Sequence, residues 1–205
     1  GTNFTDSLLV GHATTGTLNA AQDNTGIGID ALDALTSGDN NTAIGSGAGT
    51  AINSGANNTA VGQFSLKATT DGTLNTALGV ESLLTNISGT QNTASGVYSL
   101  RLNTGDKNTA FGYAALLTNS SGDNNTAFGV EALRNTETTD GNTGIGFKAL
   151  RANTTGVNNI GLGQQAGDNI TTGAGNVIIG ADIDAAAVDS ARTLKIAGND
   201  GSTTT

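Results

Sequence analysis

GDNNTAFGVEAL, residues 122–133, decides how the chain is read, because the chain writes it again and again. GDKNTAFGYAAL ends at Leu116, one period earlier, and DGNTGIGFKAL ends at Leu150, one period later. Aligned on the Asn of this motif, copies start at Asn24, Asn41, Asn58, Asn75, Asn92, Asn108, Asn125, Asn142, Asn159 and Asn176. Every step is 17 residues except one of 16, from Asn92 to Asn108. A further step back reaches Ser7 and the degenerate SLLVG, which makes eleven copies. Self-similarity at a short fixed period marks a solenoid, in which each copy is one structural unit stacked on the next.

Each column of the alignment has a physical meaning. The fifth position is glycine in every copy: Gly11, Gly28, Gly45, Gly62, Gly79, Gly96, Gly112, Gly129, Gly146, Gly163 and Gly180. A residue held as glycine eleven times is required for positive φ or for a close approach of backbones. The fourth position is apolar in all copies but one, where Ser95 stands. The eighth is Ala or Ser from Ala31 to Ala166, and the ninth is Leu in seven copies, among them Leu66, Leu100 and Leu133. A second glycine closes most copies near position 15, as at Gly38, Gly55 and Gly122.

NTAFG alternates as a short strand does, with Thr and Phe on one face and Ala and Gly on the other. The bulky face is expected to fill the core, and the small face to admit another chain. GVEALRN has helical composition, but helix axes need 8–10 Å between them while strands stack at about 4.8 Å. A bend, a second short strand or a 3₁₀ turn is therefore expected there. Stacked copies place Asn over Asn, which predicts a side-chain ladder. The reading is all-β: a parallel β-solenoid (β-roll) of about eleven 17-residue rungs over residues 7–183. Residues 1–6 form a lead-in, and residues 184–205 a final strand, TLKIAG, with a linker.

Composition agrees with this reading. Only 36% of the 205 residues are hydrophobic and 3% aromatic, 31 are glycine, and Pro, Met, Trp and Cys are absent. Charged residues make up only 12% and the apolar positions are regular, which argues for order over disorder. The formal charge of −9 argues against a nucleic-acid partner, which needs clustered Lys and Arg. Without Cys there are neither disulfides nor thiol chemistry, and no apolar run is long enough to insert in a membrane. Gly1 in place of an initiator Met reads as a processed end or a fragment of a longer chain.

The array NTAFGYAALLTNSSGDN resembles the 17-residue repeats of phage tail fibres, and its NTAIG strand resembles the NSVAIG motif of trimeric autotransporter adhesin heads. The resemblance covers roughly residues 7–183. It implies an intertwined or side-by-side homotrimer, placed on a virion or at a cell surface, that reaches toward or attaches to a host receptor such as a surface glycan or protein. The chaperone domain of many tail fibres and the anchor and stalk of autotransporters are not recognisable in these residues. A bacterial adhesin or a self-assembling extracellular filament is therefore the alternative carrier.

Chemistry beyond assembly is sparse. The single histidine, His12, reads as a surface or cap residue, and no Cys/His cluster with metal-ligand spacing occurs. Glu81 and Glu131 share a column three rungs apart, roughly 14 Å, too far for paired-carboxylate catalysis. No catalytic residue, metal site or cofactor is expected. Asp39, Asp106, Asp123 and Asp140 recur near position 16 as solvated acids or a weak cation site. Phe64, Tyr98, Tyr113 and Phe147 follow the invariant glycine and are candidate contacts for a receptor or for a neighbouring chain. The threonine column, Thr25 to Thr143, raises ice binding as a further class, ranked behind because its strand partner is apolar.

Overall fold

The protein is described here from a computed structural model, which covers residues 8–10, 21–198 and 203–204. Each repeat contributes one three-residue strand. In chain order these are β1 (Leu8–Val10), β2 (Thr25–Ile27), β3 (Thr42–Ile44), β4 (Thr59–Val61), β5 (Thr76–Leu78), β6 (Thr93–Ser95), β7 (Thr109–Phe111), β8 (Thr126–Phe128), β9 (Thr143–Ile145), β10 (Ile160–Leu162) and β11 (Val177–Ile179). They follow one another as parallel neighbours in a single sheet, with Thr over Thr and Ala over Ala, so the chain is a parallel β-solenoid. β12 (Leu194–Ala197) adds a further parallel strand in the same register. β13 (Thr203–Thr204) pairs antiparallel with β12 and covers that edge.

The 16-residue copy keeps the register, with Thr93 beside Thr109. Its missing residue comes out of the turn between Asn103 and Gly105, where Thr104 alone spans what two residues span elsewhere.

No helix and no second strand form among the described residues; GVEAL is a turn. The turn has left-handed residues at alternate positions, for example Gly129 (φ 142), Glu131 (φ 56) and Leu133 (φ 50). This alternation lets the peptides hydrogen-bond to the rungs on either side, as a strand does. Gly129 N donates to Phe111 O, Glu131 N to Tyr113 O, and Leu133 N to Ala149 O. Left-handed φ costs a non-glycine residue roughly 1–2 kcal/mol. At Leu133, which is fully buried, burying the side chain is worth about 1.5–3 kcal/mol and offsets that cost.

The faces of the strand are the reverse of those expected. The small residues Ala43, Ala60, Ala77, Ala94, Ala110 and Ala127 point into the coil with no exposed surface, while Phe128 stands 55% exposed on the outside. The reason is the opposing turn. A β-carbon placed at Gly144 would sit 3.1 Å from Leu133 Cγ, and one at Gly161 would sit 2.8 Å from Leu150 Cγ. The leucine of position 9 fills the space under the strand, and only a methyl group fits beneath it. Where position 9 is Gly167, the strand above carries Ile178, whose side chain takes the vacated volume.

Much of the remaining interior is polar. Asn24, Asn41, Asn58 and their successors are buried, and each joins its own rung to the next. Asn41 Nδ2 donates to Gly55 O at 2.8 Å, and its Oδ1 accepts Asn58 N–H at 3.0 Å. The expected asparagine ladder is thus mainly a side-chain-to-backbone ladder, with side-chain pairs such as Asn58 Nδ2 to Asn41 Oδ1 at 3.1 Å beside it. A second buried column at position 12 carries Leu35, Ile52, Thr69, Asn86, Asn103, Asn119, Thr136, Asn153 and Ile170. Its asparagines meet one another, and Asn108 Nδ2 reaches across to Asn103 Oδ1 at 3.1 Å.

Two outcomes test this interior. A β-carbon at Gly129 would lie 2.6 Å from Gly146 C, so Gly129→Val should cost several kcal/mol and lower the melting temperature far more than Glu131→Ala. The latter removes only part-exposed ion pairs, worth about 1 kcal/mol or less. Asn41→Ala leaves Asn58 N–H and Gly55 C=O unpaired in the interior and should destabilise by about 2–4 kcal/mol in denaturant unfolding, against under about 1 kcal/mol for the outward Thr42→Ala. Similar losses for the two members of either pair would refute the packing described.

Candidate functional surface

The solenoid interior is filled, so any site must lie on the columns that face out. Positions 2 and 4 form the outer face of the sheet. There the Thr column from Thr25 to Thr143 is half-buried, and beside it runs an apolar column including Ile27, Ile44, Leu78, Phe128 and Ile145, each at least 40% exposed. Phe111 and Phe128 stack in that column with ring centroids 5.1 Å apart.

Positions 6, 7 and 10 form the corner that follows the strand, and here the four aromatic candidates lie. Tyr98 and Tyr113 meet edge to face at 5.8 Å. Phe64 and Phe147 sit on separate rungs, each under a lysine: Lys67 Nζ is 4.5 Å from the Phe64 ring and Lys148 Nζ 4.8 Å from the Phe147 ring. Arg101 lies over Tyr98 at 5.5 Å. The structure therefore joins two of the four and distributes the others along one edge.

Of the glycine column, Gly28 to Gly180 all have φ between 125° and 142° and belong to the framework; Gly11 and His12 lie outside the described residues. The column-16 acids are structural as well. Asp39 Oδ1 accepts Gln22 N–H at 2.8 Å, Asp106 Oδ1 accepts Thr90 N–H at 2.7 Å, Asp123 Oδ1 accepts Asp106 N–H at 2.7 Å, and Asp140 Oδ1 accepts Asp123 N–H at 2.8 Å. Each carboxylate closes an amide of the preceding rung. Glu81 receives Arg101 Nε at 2.7 Å, while Glu131 lies 3.0 Å from Arg151 Nε and 3.7 Å from Arg134 Nε. Among the described residues no group of three or more His, Cys, Asp or Glu could hold a metal ion.

The arginines of position 10 (Arg101, Arg134 and Arg151) were not singled out in the sequence. Their signal was present: one column carries Lys67, Arg101, Arg134 and Arg151 in an acidic chain.

No family model, curated protein or solved structure matches this chain.

Near the C-terminal rungs, burial raises the pKa of Asp168, and the Asp184 carboxyl raises it further by hydrogen bonding and like charge, against Gln165 and Arg151. A raised folded-state pKa means that the ionised group opposes folding. The penalty is full above the folded-state pKa and is relieved as the pH falls through it. Asp168→Asn should therefore stabilise the protein at pH 7, and the gain over the parent should shrink on acidification. Melting curves at a series of pH values check this; a gain that grows in acid would contradict it.

Proposed function

We propose that the chain is a structural and adhesive shaft or head, outside the cell or on a virion, in which three copies lie side by side with their sheet faces turned to a common axis. The observation that carries this reading is the apolar column at position 4. Large side chains at Val10, Ile27, Ile44, Leu78, Phe128, Ile145 and Ile196 stand 40% or more exposed along the length of the sheet. An apolar stripe of that extent, broken only at Ser95 among the described strands, marks a contact surface. Burying it on three copies adds the hydrophobic contribution that an interior built largely of Ala, Leu and Asn does not supply.

The small Ala and Gly residues first expected at the contact serve the interior, and the bulky face takes their place. At about 4.8 Å per rung, eleven rungs extend roughly 50 Å, which suits reach and presentation. The resemblance to phage tail-fibre repeats supports placing this shaft in a host-attachment fibre. A bacterial surface adhesin uses the same physics. An end-to-end filament is disfavoured by β13, which would have to leave the β12 edge before another copy could stack there.

Sedimentation of the folded protein should give three times the formula mass of 20.1 kDa. Leu78→Asp with Phe128→Asp should give folded monomers. A folded parent that sediments as a monomer would overturn the trimeric reading.

A further inference from the structure

Most rungs close with a glycine at position 15, because a β-carbon there would meet the next rung: at Gly72 it would lie 2.7 Å from Gly89 O. The residue before that glycine is Asp71 in the rung from Asn58, where the other 17-residue rungs from Ser37 to Thr172 carry serine or threonine. The departure sets a carboxyl group beside an amide that no side chain shields. An Asp–Gly pair of this kind reacts with itself: the glycine nitrogen attacks the side-chain carboxyl carbon, and the ring reopens at either carbonyl. Two such pairs fall within the described residues, Asp71–Gly72 and Asp140–Gly141. Both aspartates are exposed, so access does not separate them.

We infer that Asp71 is a site of spontaneous modification, at which the folded protein converts its α-peptide link to Gly72 into a β-link, and that Asp140 is protected from the same reaction. Hydrogen bonding separates the two. Asp140 Oδ1 accepts Asp123 N–H at 2.8 Å, its C=O accepts Asn158 N–H at 3.1 Å, and Gly141 N–H donates to Asp123 O at 3.1 Å. Nucleophile and electrophile are both engaged there, so the ring closes only after a local opening. At Asp71–Gly72 neither the C=O nor the N–H of the linking peptide is hydrogen-bonded. The Asp71 carboxyl group accepts only the hydroxyl of its neighbour, Thr70 Oγ1, at 3.0 Å.

The reaction needs no partner but water. Gly72 N forms a bond to Asp71 Cγ, and one carboxyl oxygen leaves as water with the amide proton and a proton from solvent. Hydrolysis of the cyclic imide at the Asp71 α-carbonyl takes the water back, returns the proton and leaves the chain running through Cβ. The product lengthens the backbone by one carbon between positions 13 and 15. This is the turn in which the solenoid already tolerates a change of length. In the rung from Asn92 a whole residue is missing from it, Thr104 alone standing between Asn103 and Gly105, and Thr93 still pairs with Thr109. Gly72 itself stays anchored, since its O accepts Asn58 Nδ2 at 2.8 Å. The β-link is therefore absorbed in the turn, and it moves a carboxylate onto the main chain without changing the charge.

Ageing the folded protein in warm neutral buffer tests this. Isoaspartate is read site by site by digestion and electron-transfer fragmentation, which separates Asp71 and Asp140 from the Asp200–Gly201 pair outside the described residues. The β-link should accumulate at Asp71 about tenfold or more faster than at Asp140, where hydrogen bonds must open first. In denaturing urea the two rates should converge, since both sites are Asp–Gly. Asp71→Glu, whose longer side chain closes a ring far more slowly, should abolish the product at that site and leave folding and the Asp140 rate unchanged. Circular dichroism and the melting temperature should hold while the β-link accumulates. Equal rates at the two sites in the folded protein, or product at Asp71 in urea alone, would overturn the inference. Loss of the folded signal in proportion to the β-link would overturn its absorption in the turn.

Discussion

Successive turns of this chain lie one strand spacing apart all the way round, including where the backbone is not a strand. Nearly every structural feature follows from that approach. At positions 5 and 15 the carbonyl of the next rung occupies the place of a β-carbon: one built on Gly62 would be 2.7 Å from Gly79 O, and one on Gly55 would be 2.5 Å from Gly72 O. Glycine is there because another backbone is there. The turn must also keep donating and accepting between rungs, and an ordinary helical turn would direct those bonds along itself. Alternating left-handed residues solve that problem, and buried leucine compensates for their strain.

The polar interior specifies as well as stabilises. Buried asparagines at position 1 link the carbonyl of their own rung to the amide of the next one, as Asn58 and Asn75 do. Asn142 differs, donating to Asn125 Oδ1 and Thr139 Oγ1 of the preceding rung while Gly156 O accepts Asn153 Nδ2. A slip of the stack by one residue would leave these amides and carbonyls inside without partners, at about 1–3 kcal/mol for each buried group. The apolar columns oppose the same slip, because it would turn the bulky residues of position 4 onto the buried leucines. Asparagine and leucine thus set the register together. Thr193 shows the limit of this role: its N–H takes Asn176 Oδ1 at 2.9 Å, so β12 joins the stack, yet Thr193 brings no asparagine to bind a rung beyond.

The period, the strand, its parallel order and the glycine column were legible in the sequence, because repetition exposes them without any estimate of energy. The direction of the strand faces was not. Size alone suggested that Phe and Ile go inside and Ala outside, which holds for a sheet packed on a separate layer. Here the opposing layer is the turn of the 17-residue coil itself, and the leucine of the preceding rung already occupies the interior. Gly167 beneath Ile178 hints at this from sequence, since there the turn loses its leucine and the strand gains bulk; at Gly49, below Ala60, it is Ile52 of position 12 that lies closest instead. The second polar column escaped notice because Leu, Ile, Thr and Asn alternate there, and only burial reveals them as one position. The acids of column 16 were visible as a column, but their amide partners come from the preceding rung.

Stacking constrains the inward positions and leaves the outward ones free, and this separates what the fold needs from what a partner needs. An outward column could hold serine or threonine on every rung without disturbing a single bond between rungs; Ser46 and Ser95 occupy such places. The apolar residues of position 4 are not required by the solenoid, nor is the gathering of Tyr98, Tyr113 and Phe147 with Arg101, Arg134 and Arg151 on one corner. The concentration of these rings and cations on the middle rungs breaks the symmetry of the repeat. The departures from the repeat, more than the repeat itself, set this face apart from the rest of the solenoid.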